Sequence, residues 1–195
     1  MTKILALLMV ITLAACGSAS TAGPKTSNPP LKKEPPKAKP APGGDEVEVE
    51  GFTLKIKSLE FQITMTTAPW QGKSARSNDG QLQVILERPD LEGMLFLGAI
   101  RAQTDAKGIV EAHQAALTQK GLANVSAVEA ENGGRYAFTA DATEDGKTSR
   151  VYVSAIPHPK ASGAYVLAMA FVPVANADAF LKDVRASLDT IAPLP

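Results

Sequence analysis

The chain has 195 residues, with 20 Lys and Arg against 20 Asp and Glu, two His and a single Cys. A net charge of zero leaves no electrostatic footprint for nucleic acid, and one thiol excludes an intramolecular disulfide framework. The charge is nevertheless uneven: residues 1–45 carry six Lys and two acidic side chains, a net of +4, while residues 46–195 carry fourteen basic and eighteen acidic ones, a net of −4.

The chain opens with a positive residue, Lys3, and an apolar run from Ile4 to Ala14 that only Thr12 interrupts; Ala14, Ala15 and Cys16 follow. This is the three-part layout of a secretory signal peptide. The run of eleven residues falls short of the about 20 that cross a bilayer as a helix. Leu13-Ala14-Ala15-Cys16 resembles a bacterial lipobox: an aliphatic residue, two small residues and a cysteine. That resemblance implies a diacylglyceryl group on the Cys16 sulfur, cleavage after Ala15, and an acylated amino terminus, palmitate being one such chain. A thiolate suits this chemistry as a strong nucleophile, and two or more acyl chains anchor stably where one does not. The implied partner is the membrane, through an N-terminal lipid anchor, and the implied location is the bacterial cell envelope. In many Gram-negative bacteria an aspartate after the lipidated cysteine retains the protein at the inner membrane; Gly17 in that position points to the outer one.

Residues 16–45 read as the lipidated cysteine and a spacer. Gly17 to Asp45 holds seven of the fourteen prolines, one large aliphatic residue, Leu31, and no aromatic. Such a segment buries too little apolar surface to offset the entropy of ordering, so a disordered, partly polyproline-II linker is expected. Its 29 residues reach about 90 Å extended and about 30 Å as a coil. Lys32, Lys33, Lys37 and Lys39 lie among the prolines without amphipathic order, which suits solubility better than lipid contact.

Residues 46–195 have the size of one domain. Phe52, Leu54 and Ile56, then Leu59, Phe61, Ile63 and Met65, alternate with polar residues, as strands with one buried face do. Further strands are predicted near Leu82–Leu86 and Met94–Ala102. The period then changes to that of a helix over Thr104–Lys120, capped by Thr104 or Asp105 and closed by Gly121, with Ile109, Ala112, Ala116 and Leu117 on one face. Strands at Val125–Glu131 and Arg135–Ala142 flank the turn signal Asn132-Gly133-Gly134, and Arg150–Ile156 follows a second turn at Asp145-Gly146. Tyr165–Val172 lacks any polar residue beyond its tyrosine hydroxyl and reads as a strand buried on both faces, which requires layers above and below the sheet. A last helix begins near Asn176 and ends before Pro193. Phe180, Leu181, Val184, Leu188 and Ile191 form its apolar stripe, with Lys182, Asp183, Arg185 and Asp189 opposite. The predicted class is α+β, a mostly antiparallel sheet flanked by helices.

This layout is similar to that of the PsbP-like family, which includes an extrinsic photosystem II subunit and bacterial envelope lipoproteins. The matching features are Gly51-Phe52 opening an early strand, Pro69-Trp70, the central helix, the hairpin, and the closing "FLKDVRASLDTI" from Phe180 to Ile191 with Ser187 near its end. The resemblance implies an α/β/α sandwich and a binding or assembly accessory without shared enzyme activity.

Catalytic signatures are weak. His113 and His158 lack the cysteine or histidine partners of a transition-metal set, and no G-x-S-x-G elbow supplies a nucleophile. "DATEDG" from Asp141 echoes a calcium loop but puts Tyr152 where a bidentate glutamate belongs. "GKS" at Gly72 lacks the upstream glycine of a phosphate loop, since Thr67 stands there. "GGDE" at Gly43 lies at the spacer boundary. Trp70 and Phe96 are candidates for a ligand-binding wall, though core positions suit them better. Arg76, Arg88 and Arg101, expected in or near loops, are candidate anion ligands if the fold gathers them. The sequence thus favours a non-enzymatic, lipid-anchored domain with a protein partner and no cofactor, metal or nucleic acid. The alternatives are a small-ligand binder and an envelope hydrolase built on His158, a carboxylate and a serine.

Overall fold

The computed structural model describes residues 47–195 apart from 51, 67, 68, 79 and 80, with backbone alone at 47–50, 58, 73–78, 81 and 82. Cys16, the signal segment and the spacer lie outside the described residues. The described elements in chain order are β1 (Val47–Glu50), β2 (Thr53–Ile56), β3 (Phe61–Thr64), β4 (Gln71–Asn78), β5 (Gln81–Arg88), β6 (Gly93–Arg101), α1 (Ala106–Gln119), β7 (Glu129–Ala130), β8 (Tyr136–Glu144), β9 (Lys147–Pro157), β10 (Ala164–Pro173), α2 (Ala177–Leu188) and β11 (Ala192–Pro193).

The strands form two antiparallel sheets. The smaller has the order β1-β2-β3-β11 and the larger β4-β5-β6-β10-β9-β8-β7. The larger sheet is two meanders joined at its centre. Strands β4 to β6 run up and down, α1 crosses over, β7 to β10 run up and down, and β10 closes beside β6 with Ala164 opposite Arg101 and Phe171 opposite Met94. This central place explains why Tyr165–Val172 is apolar throughout. Val166, Ala168, Ala170 and Val172 point into one core, and Leu167, Met169 and Phe171 into the other.

Those two cores define three layers. On one face the apolar side of α1 packs on β8 and β9. On the opposite face α2 and the small sheet share a core containing Phe61, Ile63, Leu86, Leu95, Tyr152, Phe180, Leu181, Val184 and Leu188. The fold is α+β, with a mostly antiparallel sheet and a helix on each side. At about 2 kcal/mol per large buried side chain, the four such residues of α2 make it a strongly docked element.

Local chemistry sets the boundaries. Asp105 caps α1, its carboxylate accepting from Gly108 N at 2.8 Å, and Gly121 follows the helix at φ +82°. Asp145 and Gly146, at φ 51° and 74°, form the β8–β9 turn, so "DATEDG" is a hairpin. Gly133 and Gly134 likewise turn the chain between β7 and β8.

Three expectations need correction, and one strand goes unannounced in the sequence. The strand expected over Val125–Glu131 shrinks to Glu129–Ala130, because Asn124 adopts φ 49° and the Ser126 hydroxyl accepts from Thr139 N, replacing a ladder bond with a side chain. Strand β4, with its polar sequence "QGKSARSN", has no apolar alternation to announce it. It forms by pairing with β5, with a bulge between Gly72 and Ser74, and it absorbs "GKS". Phe52 is not part of an inward-facing series: it sits in the β1–β2 turn and is 62% exposed. Ile191 falls past the end of α2 and only partly enters the core.

Candidate functional site

The polar chemistry of the described residues concentrates on the two flanks of α2. The carboxylates and arginine that sequence places on the wet side of this helix, Asp183, Arg185 and Asp189, are drawn into ion pairs with the large sheet and its turns.

The first cluster is built on Arg88. Strand β5 ends there, and the turn Pro89–Leu91 brings Asp90 back beside it. Arg88 Nε and Nη2 donate to the two Asp90 oxygens at 2.9 Å each, and Nη1 donates to Asp183 of α2 at 2.5 Å. The Arg88 side chain is 7% exposed while Asp90 is 44% exposed, so the fork is buried and its counter-charge sits at the rim. The hydrogen bond from Arg88 holds the Asp90 carboxyl below its usual range. Trp70 stacks in the same place: the Arg88 guanidinium lies 5.6 Å from its ring centre and the Phe180 ring 5.5 Å away. Such cation–π and aromatic contacts contribute about 1 kcal/mol each. Trp70 Nε1 is buried and has no hydrogen-bond partner among the described residues.

The second cluster is built on Glu131, just before the β7–β8 turn. Its Oε2 accepts from Arg135 Nε at 2.7 Å and from the Tyr152 hydroxyl at 2.8 Å; its Oε1 accepts from Arg185 Nε at 2.9 Å. Arg135 Nη1 also meets Asp189 at 2.9 Å, and Asn132 Nδ2 donates to the same carboxylate at 3.2 Å. Arg185 lies over the Tyr152 ring at 5.2 Å. Burial, then the Glu131 charge, push the Tyr152 phenol well above its ordinary value. Hydroxyl bonds complete the attachment of α2: Thr190 Oγ1 accepts from Thr64 N at 2.8 Å, and Ser187 Oγ accepts from Thr66 N at 3.2 Å. Ser187 is thus a tie between α2 and the end of β3.

The sequence candidates do not converge. Arg88 and Arg101 are the last residues of β5 and β6, each beside a connection, and the β5–β6 register, Arg88 opposite Gly93, puts them at opposite ends of the sheet. Arg76 instead lies within a strand, β4, and its side chain is outside the described set. Arg101 is exposed, whereas Arg88 is held by two carboxylates. No shared anion site follows from this trio. Trp70 and Phe96 face opposite layers: Trp70 packs on the α2 side, and Phe96 on the α1 side against Phe171 at 5.6 Å. They cannot wall one pocket. Cys16 lies outside the described residues.

The two histidines differ: both ring nitrogens of His158 are engaged, and one of those of His113. His158 Nε2 donates to Leu59 O at 2.6 Å, and its Nδ1 accepts from Lys160 N and Ala161 N at 3.2 Å each, so the ring pins the β9–β10 turn to the small sheet. A general base needs a free ring nitrogen within reach of the proton it takes, and His158 offers none. His113 is buried in α1 with Nδ1 on Ile109 O at 2.9 Å, and burial lowers its pKa. Among the described residues no group of three or more His, Cys, Asp or Glu side chains is placed to hold a metal ion, and no helix is long and apolar enough to cross a membrane.

Sequence reading missed the Glu131 cluster. Glu131 and Arg135 are four apart, as are Arg185 and Asp189, but nothing in the sequence joins two pairs separated by 50 positions.

Comparison with known proteins gives distant structural matches. No protein-family model and no curated protein matches the chain. A Bacteroides thetaiotaomicron crystal structure aligns at 12% identity and a TM-score of 0.48, over 75% of this chain and 50% of the other; the chain thus spans about half that protein's length. LpqN of Mycobacterium tuberculosis, described as involved in cell envelope biogenesis, aligns at 12% identity and a TM-score of 0.42, over 69% of this chain and 84% of the other. Likeness at this level assigns no function.

Proposed function

We propose that the protein is a bacterial cell-envelope lipoprotein whose Cys16 carries the lipid anchor and whose α+β domain, held off the bilayer by the Pro-rich spacer, serves as a non-enzymatic protein-binding or assembly accessory in the manner of PsbP-like proteins. The observation that carries the reading is the run of Lys3, an apolar stretch and Leu13-Ala14-Ala15-Cys16, followed at once by a proline-rich segment with one large aliphatic residue. Two or three acyl chains give a stable anchor. Gly17 favours the outer membrane as the destination. The occupied ring of His158 counts against a hydrolase, and the opposite facing of Trp70 and Phe96 counts against a ligand wall made from both.

The test is Cys16→Ala expressed in a bacterial host. The wild-type chain is expected in the membrane fraction, with mass spectrometry finding acyl chains on Cys16. The variant is expected in the soluble fraction or as unprocessed precursor, with an unchanged far-UV spectrum. A mature variant that still pellets with membranes, or a wild-type Cys16 without acyl chains, overturns the assignment. Crosslinking in intact cells then identifies the protein partner.

A further inference from the structure

We propose that His113 makes the α1 layer acid-labile: protonating its buried imidazole releases α1 from β8 and β9 while α2 stays docked. His113 lies in the middle of the α1 stripe, among Ala106, Ile109, Val110 and Leu117, and only 6% of it is exposed. Its Nδ1 lies 2.9 Å from Ile109 O. A carbonyl only accepts, so Nδ1 bears the hydrogen and Nε2 a lone pair. Nε2 is buried and has no hydrogen-bond partner among the described residues. A proton added there becomes a donor without an acceptor, on a cation without a counter-ion, and both are costly in an apolar layer.

The surroundings offer no relief. From β8 the face toward α1 carries Tyr136, Phe138, Ala140 and Ala142; from β9 it carries Val151, Val153 and Ala155; from β10 it carries Tyr165, Leu167, Met169 and Phe171. The ionisable groups among these are two phenols, neither of them a counter-anion. The segment after the helix contributes Leu122, Val125 and Val128. On α1 itself Lys107 and Glu111 pair with each other on the exposed side, and Lys120 is exposed. The Asp105 carboxylate is committed to Gly108 N, eight residues and about 12 Å along the axis from His113. Asp141, Arg150, Glu131 and Arg135 belong to the other side of the sheet or its edge. The ring therefore escapes its own charge only by leaving the interface, and from mid-helix it takes α1 with it. Below the ordinary imidazole value of about 6.5, the opened layer binds a proton that the packed layer refuses. Opening then grows by up to about tenfold per pH unit. His113 and the layer it sits in belong to the folded domain, so the acid opening of α1 is independent of an anchor at Cys16.

The test is hydrogen exchange by mass spectrometry on the full-length chain in detergent at pH 7.5, 6.0 and 5.0, corrected for the intrinsic pH dependence of exchange. Peptides from 106–119 and from β8–β9 are expected to lose roughly tenfold or more protection between pH 7.5 and 5.0, while those from 177–188 hold. His113→Leu and His113→Gln are each expected to abolish the acid-specific loss in α1. NMR of the wild-type ring, expected to show an Nδ1–H tautomer that protonates only as α1 opens, keeps the idea testable if both variants misfold. Equal protection of wild-type α1 at the three pH values overturns it. So does an unchanged acid response in either folded variant, or a ring that titrates with no loss of protection.

Discussion

Replacing Glu131 by Ala tests whether the ion cluster beside α2 acts as a buried brace or as surface decoration. The carboxylate serves three donors of very different exposure: the Arg135 side chain is 3% exposed and Arg185 43%, and Tyr152 is fully buried. Without Glu131, Arg135 keeps Asp189 but loses its shorter contact, and the Tyr152 hydroxyl loses its acceptor. Breaking a buried pair from one side costs about 3–5 kcal/mol, and an orphaned buried hydroxyl about 1–3 kcal/mol. Asp189 compensates in part, which puts Glu131→Ala at about 3 kcal/mol, or about 6–12 °C in Tm for a domain of this size. Arg185→Ala removes a pair open to water together with a contact on the Tyr152 ring, at about 1 kcal/mol. Urea unfolding of the full-length chain, followed by the fluorescence of the single tryptophan, measures both. Equal costs for the two variants would refute the reasoning, since burial is then not what sets the value of this carboxylate.

Gly93→Ala is expected to destabilise by about 1–3 kcal/mol, because a Cβ there would collide with the Phe180 ring in the middle of the core; thermal melts read the loss, and a neutral result refutes the close approach. Phe180→Leu is expected to cost about 1–2 kcal/mol of buried area and to red-shift Trp70 emission, since it removes the ring stacked at 5.5 Å; an unchanged spectrum contradicts that contact. Asp141 is pushed up by burial but held down more strongly by hydrogen bonds from Arg150 and Asn124, leaving its carboxyl below the usual range. A depressed carboxyl stabilises the fold above its unfolded value of about 3.9 and loses that stabilisation as pH falls through the folded one. Asp141→Asn is therefore expected to lower stability at neutral pH and to flatten the acid limb of a stability–pH curve below about pH 4; parallel limbs for the two proteins refute it.

Much of the fold is legible because its strong signals are local. The apolar run at Tyr165–Val172 demands cover on both sides, and the structure places it between β6 and β9 with a helix layer on each face. Asp105, Gly121, Gly133 and Gly146 announce their caps and turns by chemistry that reaches only a few residues. Illegible parts depend on distant partners. β4 is a strand because β5 offers an edge to a polar segment, and β7 is short because Ser126 supplies a side-chain acceptor. The helix wheel of α2 misleads for the same reason. Asp183 and Arg185 look solvated in sequence, yet each finds a partner at least 50 positions away. Of the candidate residues, His158 and Trp70 are placed by contacts no spacing reveals, and Cys16 is the one whose proposed role is carried wholly by its neighbours in sequence.

The two helix layers are held by different physics, and this divides the domain. Helix α2 combines an apolar stripe with two guanidinium forks whose arginines are more deeply buried than their carboxylates: Arg88 on Asp90 and Asp183, Arg135 on Glu131 and Asp189. Hydroxyls of Ser187 and Thr190 then tie its last turn to the small sheet. A fork of fixed geometry admits few sliding alternatives, so α2 has its position specified by directional bonds at its middle and its C-terminal end as well as by area. Helix α1 relies on its apolar stripe, one cap and Gln114 reaching Ser126 O at 2.6 Å, with an imidazole at the centre of the stripe. Mild acid separates these designs. Asp90, held below the usual carboxylate range by Arg88, keeps the charge its fork needs, whereas burial has already lowered the affinity of His113 for the proton that arrives. The layer with the fewest directional ties is also the one holding the group most sensitive to that change, so opening in mild acid begins at α1 and leaves the shared core of α2 and the small sheet intact.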